Sequence, residues 1–241
     1  MYLINSKLKK PAVAWSRLDY SDALVAFSSS GSTSAMNTTG AGLLVAVLAT
    51  PFGGYAQPNS FTDSAGNSWT MNNASESALS GNWRFRVYYC MSPITSSSHT
   101  VTISAPGTTF TGVSFHAFAG SPVSGKFEVQ YNEDTSGTAT SLFVGTKSGY
   151  YSPGQTASNM LVIQMSVFDL YDATSVASDS DGTPYYDYHG DMGAGLGYTM
   201  GTAWTNTSEN NSETIGTTYS WNFPGAGAPA PCAAIVVLFS N

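Results

Sequence analysis

The sequence predicts an all-β chain: a two-sheet antiparallel β-sandwich, jelly-roll-like, with long loops and an N-terminal arm. Three observations predict it. Apolar residues alternate with period two in one segment after another, and no helical stripe interrupts them. Clusters of Gly, Pro, Asn and Asp fall between those segments, where the chain must reverse. Apolar residues make up 42% of the 241, yet only 10% are charged, against roughly 25% in ordinary soluble domains. A core is affordable, and the surface is one of hydroxyls and amides rather than ions.

The elements follow in order. Weak strands are expected near 12–17 and 23–27. LLVAVLA (43–49) is apolar on both faces, so it reads as a central strand covered on both sides. SFTDSAGNSWT (60–70) reads as a hairpin: Phe61 and Trp69 flank the turn, Asp63 initiates it, and Gly66-Asn67 suits positive φ. WRFRVYYCM (83–91) places Trp83, Phe85, Val87, Tyr89 and Met91 on one face, with Arg84, Arg86, Tyr88 and Cys90 on the other. HTVTISA (99–105) turns Val101 and Ile103 inward, and GVSFHAFAG (112–120) does the same with Val113, Phe115 and Ala117. Ser114 and His116 then read as outward polar positions. Further strands are expected near 126–131, 140–145, 197–204 and 217–223. MLVIQMSVF (160–168) and CAAIVVLF (232–239) are central strands of the same kind as 43–49. About a dozen strands at this spacing make a sandwich or jelly roll. No internal repeat is visible. Residues 1–20 form the arm, and 21–241 a single domain with a loop-rich excursion at about 169–210.

Charge divides the chain unevenly. Residues 1–17 hold Lys7, Lys9, Lys10 and Arg17 with no acid, while the whole chain carries −7. The acidic body disfavours nucleic acid, which needs clustered Lys and Arg. The basic arm is expected to meet a partner through Lys7, Lys9, Lys10, Trp15 and Arg17, the tryptophan serving as apolar anchor. No secretory signal and no membrane-length apolar run is seen. Cys90 and Cys232 read as two buried thiols.

Chemistry is sparse. There is no G-x-S-x-G elbow, no close-spaced carboxylate pair on one strand and no zinc spacing. Asp179, Asp181 and Asp187 concentrate hard oxygen ligands, and Asp179-Ser-Asp181-Gly resembles a fragment of a calcium loop without its later Glu. No cofactor is expected beyond a structural calcium there; the alternative is a solvated acidic loop. Tyr185, Tyr186, Tyr188, Tyr198 and Trp204 gather in the same region. Exposed, they suit a glycan or a neighbouring subunit; packed down, they fix the excursion to the sandwich.

GAGLLVAVLA, SFTDSAGNSWT, WRFRVYYCM, HTVTISA and the C-terminal AAIVVLFS together resemble the jelly-roll or Ig-like β-sandwich modules of bacteriophage structural proteins, also found in bacterial surface proteins. The likeness covers about residues 23–120 and the last strand; 121–230 matches no such pattern. It implies a structural role for the D-S-A-G-N-S-W-T motif. It further implies a non-enzymatic virion protein, and the missing secretory signal implies synthesis in the host cytoplasm. A capsid decoration or cement protein is the first expectation and a tail or baseplate component the second. The expected partners are other copies of the chain, as a trimer, and the major capsid protein. A carbohydrate-binding or adhesin module working through 183–204 is the alternative from a different class.

Overall fold

The computed structural model describes residues 15–27, 29–51, 56–72, 83–107, 109–120, 127–134, 141–145, 160–168, 177–179, 185–191, 199–207, 218–222 and 232–240. Among these every regular element is a strand, and every pairing is antiparallel. No helix long and apolar enough to cross a membrane occurs among them.

The first half contains β1 (Ser16–Phe27), β2 (Ser30–Ser32), β3 (Leu43–Pro51), β4 (Ser60–Asp63), β5 (Thr70–Asn72), β6 (Trp83–Met91), β7 (Val101–Ser104) and β8 (Thr109–Ala119). They form a five-stranded sheet, β1-β8-β3-β6-β5, and a three-stranded sheet, β2-β7-β4. The second half contains β9 (Phe127–Asp134), β10 (Ser141–Gly145), β11 (Met160–Phe168), β12 (Ala177–Asp179), β13 (Tyr185–Asp191), β14 (Thr199–Thr207), β15 (Thr218–Asn222) and β16 (Cys232–Ser240). Its sheets run β9-β16-β11-β14-β13 and β10-β15-β12. Strand for strand, this is the first half again. The expected two-sheet sandwich is therefore present as a repeated unit, and the reading of no internal repeat is corrected.

Register repeats as well as order. Leu43 stands opposite Phe118 across β3 and β8, and Leu161 stands opposite Phe239 across β11 and β16. Two residues further along, Val45 faces Tyr89 and Ile163 faces Trp204. Phe239 is thus the counterpart of Phe118, and Trp204 that of Tyr89.

The core explains why both faces of β3 are apolar. Leu44, Ala46 and Leu48 pack with Tyr88, Cys90, Val113, Phe115 and Ala117 against Val101 and Ile103 of the small sheet. Leu43, Val45, Val47 and Ala49 point the other way. With Trp83, Phe85, Val87 and Phe118 they meet residues of β11, β14 and β16 in one continuous cluster. The two large sheets are packed face to face, and each half is a wall of the other's core. Alternation on β6 falls as expected, but its polar-looking face is also covered: Arg86 is buried and donates from Nη1 to the Pro58 carbonyl.

Contacts across this joint come in matched pairs. Phe118 meets Trp204 edge-on, with ring centroids 5.4 Å apart at 61°. Tyr89 meets Phe239 edge-on, at 5.7 Å and 72°. Exchanging each residue for its counterpart turns one pair into the other. That reciprocity is the signature of an isologous, two-fold interface, here made within a single chain.

Candidate functional site

Asp63 ends β4 and begins a dense polar constellation. Its Oδ1 accepts from the backbone N–H groups of Ala65 at 2.9 Å and Asn67 at 3.1 Å. Its Oδ2 accepts from the Trp69 indole Nε1 at 2.6 Å and lies 3.4 Å from His99 Nε2. Asp suits this place because a short carboxylate reaches its own backbone two and four residues on. Gly66 supplies the required positive φ, +76°. Asn67 extends the lock: its Nδ2 donates to the Ile94 carbonyl at 3.0 Å, and its Oδ1 accepts from the Ile94 N–H at 2.6 Å.

The segment is a corner rather than the expected hairpin. β4 pairs with β7 in the small sheet, whereas β5 pairs with β6 in the large one. Residues 64–69 carry the chain from one sheet to the other. Phe61 and Trp69 meet edge-on at 4.9 Å. Phe61 also stacks on Tyr88 at 4.1 Å, and Trp69 approaches Phe115 edge-on at 6.1 Å.

Behind Asp63 the network continues inward. His99 Nδ1 lies 3.0 Å from the Thr38 hydroxyl. That hydroxyl accepts from the Ser96 N–H at 2.9 Å and lies 3.1 Å from the Ser96 carbonyl. Thr38, His99 and Asp63 stand in the order hydroxyl, imidazole, carboxylate, as in a nucleophilic triad. Thr38 and His99 are wholly buried, the hydroxyl is held by the 96–99 loop, and the carboxylate is surrounded by donors. Burial alone would raise the Asp63 pKa. The hydrogen bonds from Asn67 and Trp69, with the charge of His99, outweigh it and hold the carboxyl below its ordinary 3.8. Burial, then the Asp63 charge, pushes the Cys90 thiol up, and Cys90 is unpaired.

The structure brings some of the predicted site residues together: Tyr185 stands opposite Trp204 across β13 and β14. Lys7, Lys9, Lys10, Tyr198 and Asp181 lie outside the described residues. Trp15 is not an arm residue: it is 3% exposed and belongs to the core between the halves. Arg17 is in β1, its guanidinium 4.0 Å from the Tyr20 ring centroid and 5.1 Å from that of Trp204. β1 begins at Ser16, so residues 16–20 of the expected arm are strand. Trp204, 8% exposed, is a joint residue and not a surface contact. Tyr185, Tyr186 and Tyr188 lie on β13, at one edge of the second large sheet.

Two of the three calcium candidates lie on described strands. Asp179 ends β12 in a small sheet, and Asp187 is the extra residue where the β13–β14 register shifts between Tyr186 and Tyr188. Among the described residues no group of three His, Cys, Asp or Glu is placed to hold a metal ion. Asp179-Ser180-Asp181-Gly182-Thr183-Pro184-Tyr185 has the same D-S-x-G-x-x-aromatic pattern as Asp63–Trp69. It joins the same two elements, small-sheet β12 to large-sheet β13, that Asp63–Trp69 joins in the first half.

Ser114 and His116 are not outward. Both are fully buried on the face of β8 that meets the second half, with Ser114 Oγ 2.5 Å from His116 Nε2. Sequence reasoning missed this, and missed His99 as a partner of Asp63 and Thr38 as a partner of His99. Those contacts span 36 to 61 residues of chain, so no local pattern carries them.

No protein-family model, curated protein or solved structure matches the chain.

Proposed function

We propose that the chain is a non-enzymatic structural protein of a virion, with capsid decoration or cementing as its role in a bacteriophage particle. The observation that carries this reading is the internal use of its polar chemistry. The Asp63 carboxylate, His99 and Thr38 lock a corner instead of facing a cleft. Around that lock, two sandwiches are fused through an apolar joint into one block. Such a block suits load-bearing on a shell better than turnover. The nearly uncharged surface and the basic N-terminal segment fit the same use. Lys7, Lys9 and Lys10 would meet an acidic surface of the major capsid protein, and copies of the chain would associate, as a trimer.

The test is deletion of residues 1–10, which lie before β1 and before Trp15. The shortened protein is expected to fold normally but to lose co-sedimentation with capsids, and salt should weaken binding of the full chain. Full occupancy by the deletion variant, in low and high salt alike, sinks the role. A tail or baseplate location would show as binding to tails instead. One observation favours a second reading, a glycan-binding adhesin: Tyr185, Tyr186 and Tyr188 share an edge strand. Glycan-array binding lost on Tyr185→Ala would favour it.

A further inference from the structure

We propose that the joint between the two halves is an acid-sensitive switch with His116 as its trigger. The two-fold relation exposes the residue. Val45 faces His116 where Ile163 faces Val237, and Val47 faces Ser114 where Met165 faces Ile235. One wall of the joint therefore carries an imidazole and a hydroxyl at the places where the other carries Val237 and Ile235. The matched aromatic pairs flank these places on both walls, and another polar difference between the walls is Thr202 in the place of Val87.

His116 has nowhere to put a charge. It is 0% exposed, and its ring lies beside those of Phe118, at 5.7 Å, and Tyr20, at 6.4 Å. Nε2 is taken by Ser114, and Nδ1 has no hydrogen-bond partner among the described residues. From β1 the ionisable groups are Arg17 and Tyr20 on the same side, with Asp22 opposite Ser114 in register. Neighbouring β3 brings Val45 and Val47. The apolar cluster residues of β11, β14 and β16 include no ionisable side chain. Protonation would place a cation in this apolar joint, near the Arg17 guanidinium, at a cost that burial makes large. Burial first, and Arg17 second, push the His116 pKa down to about 3.

The direction follows from linkage. Between the ordinary histidine value of 6.5 and about 3, the opened or unfolded chain binds a proton that the closed joint excludes. Stability is thus fully present above 6.5 and is lost as pH falls through that window. One proton per opening makes the opening constant rise up to about tenfold for each pH unit. Asp63 acts only below its ordinary 3.8, so the range from 6.5 to 4.5 separates the two groups.

The experiment follows opening of the full chain from pH 7 to 4.5, by denaturant titration and by binding of an apolar dye, alongside the strand circular-dichroism signal. The wild type is expected to lose stability steeply and to bind dye while its strand signal persists. His116→Val, which copies Val237, and the double variant Ser114→Ile/His116→Val are expected to show a flat profile. A second measurement needs no variant: the sequentially assigned His116 imidazole resonances should remain those of the neutral form down to pH 4.5 wherever the joint is closed. Ordinary titration near 6.5 in the closed protein overturns the switch. So does an unchanged pH slope in His116→Val, or a wild type equally stable from 6.5 to 4.5.

Discussion

Phe118 and Phe239 hold the same place in two halves of one chain, each set edge-on against the other half's aromatic: Trp204 for Phe118, Tyr89 for Phe239. Equivalent places make equivalent contributions. Phe118→Ala and Phe239→Ala are each expected to cost about 3–5 kcal/mol of unfolding free energy, as deletion of a buried ring does. Chemical denaturation should give costs within about 1 kcal/mol of each other, inside the spread of such substitutions. A large cost for one and almost none for the other would show that the pairing is not reciprocal in energy.

Asp63→Asn removes the charge while keeping the outline. Its donors then face a weaker acceptor, and a loss of about 1–3 kcal/mol is expected at neutral pH. The folded-state pKa is depressed, so the wild-type contribution is present above 3.8 and is lost as pH falls through the folded value. The stabilities of wild type and variant should converge below that point. A gap as wide at pH 2 as at pH 7 would remove the charge from the account.

Gly120 abuts Trp15. A Cβ there would lie 2.7 Å from the indole Cε3, and the backbone φ is +124°. Gly120→Ala is expected to cost about 1–3 kcal/mol from the backbone conformation alone, with more from the clash. In a Trp15→Leu background the second part should shrink, a non-additivity expected of neighbours. Strict additivity would mean that the ring yields without cost.

The pattern shared by 63–69 and 179–185 bears on calcium. In the first copy the Asp63 carboxylate is occupied by protein donors. If Asp179 serves its corner in the same way, adding EDTA or calcium leaves the melting temperature unchanged. A ligand bound to the folded state alone would shift it, and a drop of several degrees on chelation would restore the metal reading.

The strands were legible because side-chain alternation is written locally. Apolar residues on both faces of 43–49 foretold a strand with two covers, and β3 has them. What the local pattern omits is partnership. SFTDSAGNSWT looks the same whether its arms pair with each other or with different sheets, and only β6 and β7 decide. Trp15 follows three lysines and reads as peripheral until β1 is seen to begin beside it. The repeat was hidden because the joint requires matching apolar faces rather than matching letters. Val87 and Thr202 hold equivalent places, as do His116 and Val237. At the site itself, Asp63 was legible as a turn former, but its inner partners were not.

Residues 43–50 of β3 are buried without interruption. A strand with two inward faces can accept almost no polar substitution, so drift in this lineage is steered elsewhere. The outward positions of the small sheet β2-β7-β4 and the loop carrying Ile94, 62% exposed and gripped at its backbone by Asn67, remain open to change. Related chains should therefore differ most at these outer positions while their central strands stay alike. If the partner changes, adaptation has a fixed frame on which to be written.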